Sequence, residues 1–280
     1  MNACLLKHIT AFACRYDDML GEERVSLGLA SWDGLRSDWW LGLRFFLNRA
    51  FYQGRRDTIS SRFRDATYRA LETLFGEGTD SAAKASRLPD LAAAGWFNSE
   101  KWYDPGSPPR RALDERYVIT VNGRTTSCGT GKRRDREMVL DTLRFVAERP
   151  ASRGQVLNLT DHSACCLEAG HATALHRELQ DIRQIGPKVA AFFLRDLVAV
   201  LRLQSHLTAE DYVVLQPIDT WVEQVAKRLA IQPAKCGLAL SLVGACQECG
   251  VDPIRFNQGA WYVGAHSFDI LLERLGQTEP

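Results

Sequence analysis

The sequence has no apolar run that approaches the ~18 residues with which a helix crosses a bilayer. Its first 20 residues lack the continuous apolar core of a secretory signal. No glycine-rich loop follows a strand-like segment, which argues against nucleotide- and nicotinamide-dependent enzymes. There is almost no net charge, because 35 Lys and Arg stand against 34 Asp and Glu in 280 residues. We therefore expect a cytoplasmic protein that needs no membrane and does not bind its partner through bulk charge alone.

A disulfide framework and a complete set of metal ligands are also missing. In a cytosolic chain cysteines are expected to be thiols or metal ligands, and here they are Cys4, Cys14, Cys128, Cys165, Cys166, Cys236, Cys246 and Cys249. No cysteine follows Cys249, so the last three lack the fourth thiolate of an iron–sulfur site. His266 would complete a zinc site, but buried apolar thiols are the simpler interpretation. We expect no iron–sulfur cluster and no bound metal.

Positive charge is concentrated in two segments of the first half. Residues 44–69 contain seven Arg against two acidic residues, and residues 110–136 contain eight Lys and Arg against three. Most of these are Arg, whose planar guanidinium suits two-point contact with a phosphate. Charge alone leaves two interpretations open, a phosphate-binding surface or helix and loop faces that are merely solvated.

Apolar residues recur at helical spacing through most of the chain, which predicts an all-α fold. Residues 117–128 differ, because β-forming residues flank Asn122-Gly123 and predict a β-hairpin. Residues 76–116 are rich in Gly, Ser, Ala and Pro and are expected to be loop with one short helix near 90–102. The other helices are expected at about 3–20, 36–52, 58–75, 136–149, 161–169, 173–183, 188–203, 208–214, 219–230, 233–248 and 265–275.

The segment 179–197, LQDIRQIGPKVAAFFLRDL, contains two helical patterns separated by a break from Gln184 to Pro187. The break predicts a helix-hairpin-helix. Gly186 is expected to permit the turn and to leave its backbone N–H exposed, and Pro187 suits the first turn of the next helix. Such N–H groups attract an anion, for example a DNA phosphate. By itself the pattern also fits an ordinary pair of helices.

A second segment, 216–229, reads QPIDTWVEQVAKRL. Asp219 stands directly before an apolar helical pattern, which is an N-cap position. Taken alone, this position predicts a capping residue and nothing more.

Together the two segments resemble the signature of the helix-hairpin-helix DNA glycosylase superfamily. I-G-P-K-V-A is similar to its hairpin pattern G-V-G-x-K-x-A, and P-I-D-T-W-V to its P-V-D-T-H-V. The resemblance implies that Lys188 is the catalytic lysine and Asp219 the catalytic aspartate. Gln184 departs from it by replacing the first hairpin glycine, and Trp221 by replacing the His after Asp-Thr. Lys188 and Asp219 lie 31 positions apart, which is longer than the spacing of the endonuclease III type.

The longer spacing and the C-terminal FNQGAWYVG of 256–264 resemble the archaeal 8-oxoguanine glycosylase branch. The resemblance implies a two-lobed fold. One lobe is a helical barrel over residues 35–200 with the helix-hairpin-helix at about 175–197, and the other combines 1–34 with 201–280. We expect a monomer that binds double-stranded DNA between these lobes and needs no cofactor, although hairpins of this family often hold a monovalent cation through backbone carbonyls.

The resemblance and the basic segments also predict the residues around the two catalytic positions. Gln53 is expected to fill the space left by a flipped nucleotide. The full set of expected DNA contacts is Gln53, Arg55, Arg56, Lys132, Arg133, Arg134, Gln184 and Gly186. A flipped base also needs aromatic faces to stack on, and the candidates, each of which suits a core equally well, are Trp39, Trp40, Trp221 and Trp261.

The implied reaction removes a modified base that has been rotated out of the duplex. Asp219 would stabilise positive charge on the sugar, and Lys188 would form a Schiff base that allows strand cleavage. Oxidised guanine is the substrate that the nearest branch implies. Two alternatives stay open: a phage-defence enzyme that excises a bulky base such as glucosylated hydroxymethylcytosine, and a DNA-binding module without catalysis.

Overall fold

The computed structural model describes residues 3–52, 57–98, 101, 104, 106–121, 123–149, 156–235, 237–267 and 270. Within these ranges the fold is all-α with one small β-hairpin, as the sequence predicts. The elements are α1 (Ala3–Ala11), α2 (Ala13–Ser26), α3 (Gly34–Ser37), α4 (Trp39–Ala50), α5 (Asp57–Phe75), α6 (Ser81–Ala93), α7 (Pro108–Asp114), β1 (Tyr117–Val121), β2 (Arg124–Cys128), α8 (Arg133–Glu148), α9 (Leu159–Glu168), α10 (Ala172–Leu179), α11 (Pro187–Leu201), α12 (Ala209–Val214), α13 (Thr220–Arg228), α14 (Leu238–Glu248) and α15 (Pro253–Ala265).

The β-hairpin lies where the sequence predicts it. β1 pairs antiparallel with β2 in a register that runs from Tyr117 opposite Cys128 to Val121 opposite Arg124. Gly123 in the connection has a φ of +71°, the left-handed region that glycine enters without steric cost. The Asn-Gly signal therefore identified the turn correctly.

The structure corrects the expectation of a long loop over 76–116. Two helices form there, α6 and α7, and each has its own cap: Asp80 Oδ1 accepts from Ala83 N at 2.7 Å, and Ser107 Oγ accepts from Arg110 N at 3.2 Å. Tertiary contact adds to this, because Trp39 Nε1 donates to Ser81 O at 2.8 Å. These caps and this contact outweigh a composition typical of loops.

The C-terminal part also differs from the expectation. Helix α15 begins at Pro253 behind the cap Asp252, whose Oδ1 accepts from Ile254 N at 2.7 Å. It therefore covers residues that the sequence pattern left unassigned. The helix expected at 265–275 falls mostly outside the described residues.

Two separate clusters of buried apolar side chains form the core. The larger one is built on α4, α8 and α11 and extends from Leu27 to Leu215, with Ile254 added from α15. The smaller one joins α1 to α13, α14 and α15. Where α15 crosses α1, a Cβ on Gly259 would lie 2.2 Å from Ile9 O, so only glycine permits this approach.

The larger cluster also includes side chains from outside the predicted barrel lobe of residues 35–200. These are Leu27, Leu29, Leu203 and Leu215. None of the helices in the described ranges is long and apolar enough to cross a membrane.

Candidate active site at the helix-hairpin-helix

The turn between α10 and α11 carries its strain at Gln184. This residue has a φ of +67°, whereas Gly186 has a φ of −89° and a ψ of 177°, which any residue adopts. The sequence predicts that Gly186 is the residue that permits the turn. The structure corrects this, because the left-handed residue of the turn is Gln184. Left-handed backbone costs a residue with a Cβ roughly 1–2 kcal/mol. Gln184 also stands where the resembled family has glycine.

Two side chains from outside the turn hold it in place. Asp141 Oδ2, from α8, accepts from Arg183 N at 2.7 Å, and His176 Nε2, from α10, lies 3.0 Å from Pro187 O. Gln180 Nε2 lies 3.1 Å from His176 Nδ1, which makes Nδ1 the acceptor and Nε2 the donor to Pro187. Burial lowers the pKa of His176, which favours this neutral form.

The start of α11 faces open space. A Cβ built on Gly186 would meet no atom within 4 Å. Pro187 occupies the first helical position and has no N–H, and the N–H groups of Val189 and Ala190 donate to Gly186 O at 3.0 and 3.1 Å. This leaves the N–H of Lys188 as the first-turn donor without a backbone acceptor among the described residues. This end of a 15-residue helix can therefore accept an anion.

Lys188 is the second residue of α11 and is half-buried. Its ammonium forms no hydrogen bond or ion pair with any residue in the described ranges. Phe192 and Arg195 follow at helical spacings of four and seven, so they share a face of α11 with Lys188. That face leads from the lysine into the interior of the molecule.

Asp219 is the N-cap of α13, as the sequence predicts. Its Oδ1 accepts from Trp221 N at 3.0 Å and from Val222 N at 2.9 Å. Its Oδ2 receives no hydrogen bond from a described residue, so one carboxylate oxygen is left for a ligand. Trp221 is 40% exposed, and a Cβ on Gly264 would lie only 2.6 Å from its Cβ.

A cavity of about 450 Å³ lies between α2 and α4, α5, α11 and α15. Phe192 and Asp196 bring α11 to its wall, one and two turns beyond Lys188. Its aromatic lining residues are Tyr16, Tyr52, Tyr68, Phe192 and Trp261. Aromatic walls of this kind suit a flat, conjugated ligand.

One wall of this cavity is a buried network of charges. Asp196 Oδ2 accepts from Tyr16 Oη at 2.9 Å and from Arg49 Nε at 3.0 Å. Arg49 also donates to Glu23, and Arg195 donates to both Asp196 and Tyr16. Burial raises the pKa of Tyr16 well above its usual value, so the phenol stays protonated. The charges are paired, which is what makes their burial tolerable.

A second cavity of about 660 Å³ adjoins the first. The two share Arg44, Asp65 and Tyr68, and the second extends past acidic side chains of α5 to residues 118–120 of β1. Arg44 Cζ lies 4.8 Å from the centre of the Tyr68 ring, and the buried Nε of Arg44 has no hydrogen-bond partner in the described part of the chain. The aromatic cavity thus continues into a space lined by charged groups.

Of the four predicted pocket tryptophans, Trp261 lines the aromatic cavity and meets Tyr16 edge-on at 5.6 Å. Trp221 lies at the start of α13 and is exposed. Trp39 and Trp40 are only 7% and 5% exposed. Both pack edge-on against Phe75 in the larger core cluster, so neither offers a face to a base, and this part of the prediction is corrected.

The predicted DNA contacts are only partly described. Gln53, Arg55 and Arg56 lie outside the described residues. The side chains of Lys132, Arg133 and Arg134 are exposed around the start of α8. α8 also carries Asp141, about 13 Å further along at 1.5 Å per residue. The basic cluster and the hairpin are therefore attached to one rigid helix.

Sequence reasoning missed several residues of the site. Phe192 and Arg195 were identifiable from their spacing after Lys188. Nothing in the sequence marks Tyr16 and Tyr52, which reach the cavity from other helices.

Among the described residues no group of three His, Cys, Asp or Glu is placed to hold a metal. Burial raises the pKa of the Cys246 thiol to about 12.

Comparison with protein-family models, curated proteins and solved structures finds no match for this chain.

Proposed function

We propose that this protein is a DNA glycosylase of the helix-hairpin-helix type that excises a modified base and then cleaves the strand. One observation carries the proposal. The helix that follows the hairpin presents Lys188 at its open N-terminus and, on the same face, Phe192 in an aromatic cavity. A phosphate at the helix start and a base in the cavity are then both within reach of one helix.

The proposed chemistry divides between two side chains. As the bond from C1′ to the base nitrogen breaks, its electron pair leaves with the base and positive charge develops on the sugar. The free oxygen of Asp219 would stabilise that charge. The neutral amine of Lys188 would add to C1′ and lose a proton. The C1′–O4′ bond would then break, with O4′ taking up a proton, to give the Schiff base; loss of a C2′ proton then expels the 3′-phosphate with the electron pair of its C3′–O bond.

Oxidised guanine, in particular 8-oxoguanine, is the first candidate substrate, and it rests on the resemblance to the archaeal branch. The cavity supports a second candidate, a bulky modified base such as glucosylated hydroxymethylcytosine. About 450 Å³ lies in the 300–1,000 Å³ range typical of drug-sized ligands. The adjoining cavity offers Asp65, Glu72 and Arg69 to a hydroxyl-rich substituent.

The test is borohydride trapping on duplexes that contain 8-oxoguanine, uracil, hydroxymethylcytosine, its glucosylated form or an abasic site. We expect a covalent complex that Lys188→Gln abolishes, and base release that Asp219→Asn reduces at least a hundredfold. Lys227→Gln, an exposed lysine on α13, is the matched control and should behave as wild type.

The duplex that gives the strongest signal identifies the base. Base release without trapping would indicate a glycosylase without lyase activity. DNA binding with neither reaction on any duplex would overturn the proposal and favour a binding module.

A further inference from the structure

The lysine helix and the aspartate segment are joined by a single buried guanidinium. Arg195, 1% exposed, donates through Nη1 to Asn257 Oδ1 at 2.7 Å. Its other nitrogens bind Asp196 and Tyr16, and its Cζ lies 4.8 Å from the centre of the Tyr16 ring and 4.9 Å from that of the Phe192 ring. All three nitrogens are hydrogen-bonded, so the group is fixed in position.

Asn257 passes this connection on to the segment of Asp219. The side chain is fully buried on α15, and its Nδ2 donates to Pro217 O at 3.4 Å. Pro217 is separated from Asp219 by one residue. The amide of Asn257 thus bonds to both sides. Its oxygen accepts from Arg195 of α11, and its nitrogen donates to Pro217, next to the segment of Asp219.

We propose that Asn257 is a positioning residue that fixes Asp219 relative to the helix of Lys188, and this inference rests on the proposed glycosylase function. α11 belongs to the larger core cluster and α13 to the smaller one. The relay Arg195–Asn257–Pro217 is therefore a polar tie between the two core clusters, beside the apolar packing of α15 in both. Reacting groups keep their geometry where the packing and hydrogen bonds of supporting residues set it.

The consequence for catalysis is specific. Without the tie the carboxylate of Asp219 is displaced from the sugar, and displacement by 1 Å can cost about a hundredfold in rate. Lys188 keeps its own place at the start of α11, because Asp141 and His176 hold the hairpin independently of Asn257. Base excision should fall while attack on an existing abasic site continues.

The experiment compares Asn257→Asp, Asn257→Leu and Gln258→Leu with wild type. Asn257→Asp keeps an oxygen for Arg195 but has no N–H for Pro217, and Asn257→Leu loses both bonds. Gln258→Leu is the matched control, since Gln258 is equally buried on the same helix. Its Nε2 has no partner among the described residues, and its Oε1 accepts at 3.4 Å from Arg255 Nη1 of the same helix. The measurements are thermal unfolding, DNA affinity, single-turnover excision on the best duplex, and trapping on abasic DNA.

We expect both Asn257 variants to lower the excision rate tenfold to a hundredfold, with DNA affinity and abasic trapping within about threefold of wild type. Gln258→Leu should match wild type in all four. Excision by the folded Asn257 variants at the wild-type rate would overturn the inference. So would a parallel fall of excision and trapping, which indicates a packing role. If wild type itself neither excises nor traps, the proposed function fails first.

Discussion

Asp141 accepts a hydrogen bond from the backbone N–H of Arg183 across 42 residues of sequence, at 2.7 Å, and so fixes the hairpin to α8. Asp141 is 2% exposed and its Oδ1 also accepts from Arg144 Nε at 2.7 Å. Hydrogen bonds to charged groups contribute about 1.5–3 kcal/mol. The position of the hairpin thus depends on a carboxylate far away in the chain.

Asp141→Ala should lower the free energy of unfolding by about 2–3 kcal/mol, because the backbone N–H of Arg183 loses its bond to a buried carboxylate. It should also weaken DNA binding. Urea denaturation and fluorescence anisotropy measure the two effects. Asp161→Ala, which removes a partly exposed ion pair with Arg36, should cost less than about 1 kcal/mol. Equal losses in the two variants would contradict this view of the hairpin.

Gln184→Gly should stabilise the protein relative to Gln184→Ala by about 1 kcal/mol, because glycine adopts a φ of +67° without strain. The comparison with alanine removes the contribution of the Gln side chain from both variants. Thermal or urea unfolding provides the measurement. A glycine variant no more stable than the alanine variant would mean that the turn carries no strain at this residue.

Gly186→Ser should leave stability unchanged or slightly higher while it weakens DNA binding severalfold. Serine is a favoured N-cap, and its Cβ meets open space. Its hydroxyl would, however, compete with a phosphate for the N–H of Lys188 at the start of the helix. Gly244→Ser, at a helical glycine with open space around it, is the control and should not change affinity. Unchanged DNA affinity in Gly186→Ser would exclude the helix start as a phosphate site.

Acid should weaken the hairpin through His176. Burial lowers the folded-state pKa of this imidazole below its unfolded value of about 6.5. Below about pH 6.5 the unfolded state therefore binds more protons than the folded state. The contribution of neutral His176 to stability is complete above about pH 6.5 and is lost as the pH falls through the folded-state pKa. His176→Gln should reduce the loss of unfolding free energy between pH 7.5 and 5.5. His206→Gln, at an exposed histidine, is the control and should lose as much unfolding free energy between pH 7.5 and 5.5 as wild type does.

Phe192→Leu tests the aromatic cavity. Loss of the ring should raise the KM for duplexes with a modified base, by about fivefold, because a base–aromatic contact is worth about 1–3 kcal/mol. Trapping on abasic DNA, which has no base to stack, should stay unchanged. A fall in both reactions would show that the ring only supports the helix. If neither the KM nor the trapping changes, the base does not bind against Phe192.

The sequence by itself determined the features that depend on neighbouring residues. Helical spacing and Pro187 set the start of α11, Asp219 was placed as an N-cap, and Asn122-Gly123 set the turn between the strands. Each rests on hydrogen bonds or steric limits within a few residues, so a short window contains all the information. The left-handed backbone of Gln184 was not predictable, because the identity of a non-glycine residue does not determine its backbone angles.

Only the tertiary structure decided which side chains meet. Tyr16 and Trp261 line one cavity from opposite ends of the chain, whereas Trp39 and Trp40 are buried in the core against Phe75. Composition marked 76–116 as loop, but caps and a contact with Trp39 stabilise helices there. Arg195 and Asn257 are 62 residues apart, and their bond exists because two cores pack around it. Contacts of this kind depend on how helices cross, and helix crossing depends on the shapes of many side chains at once.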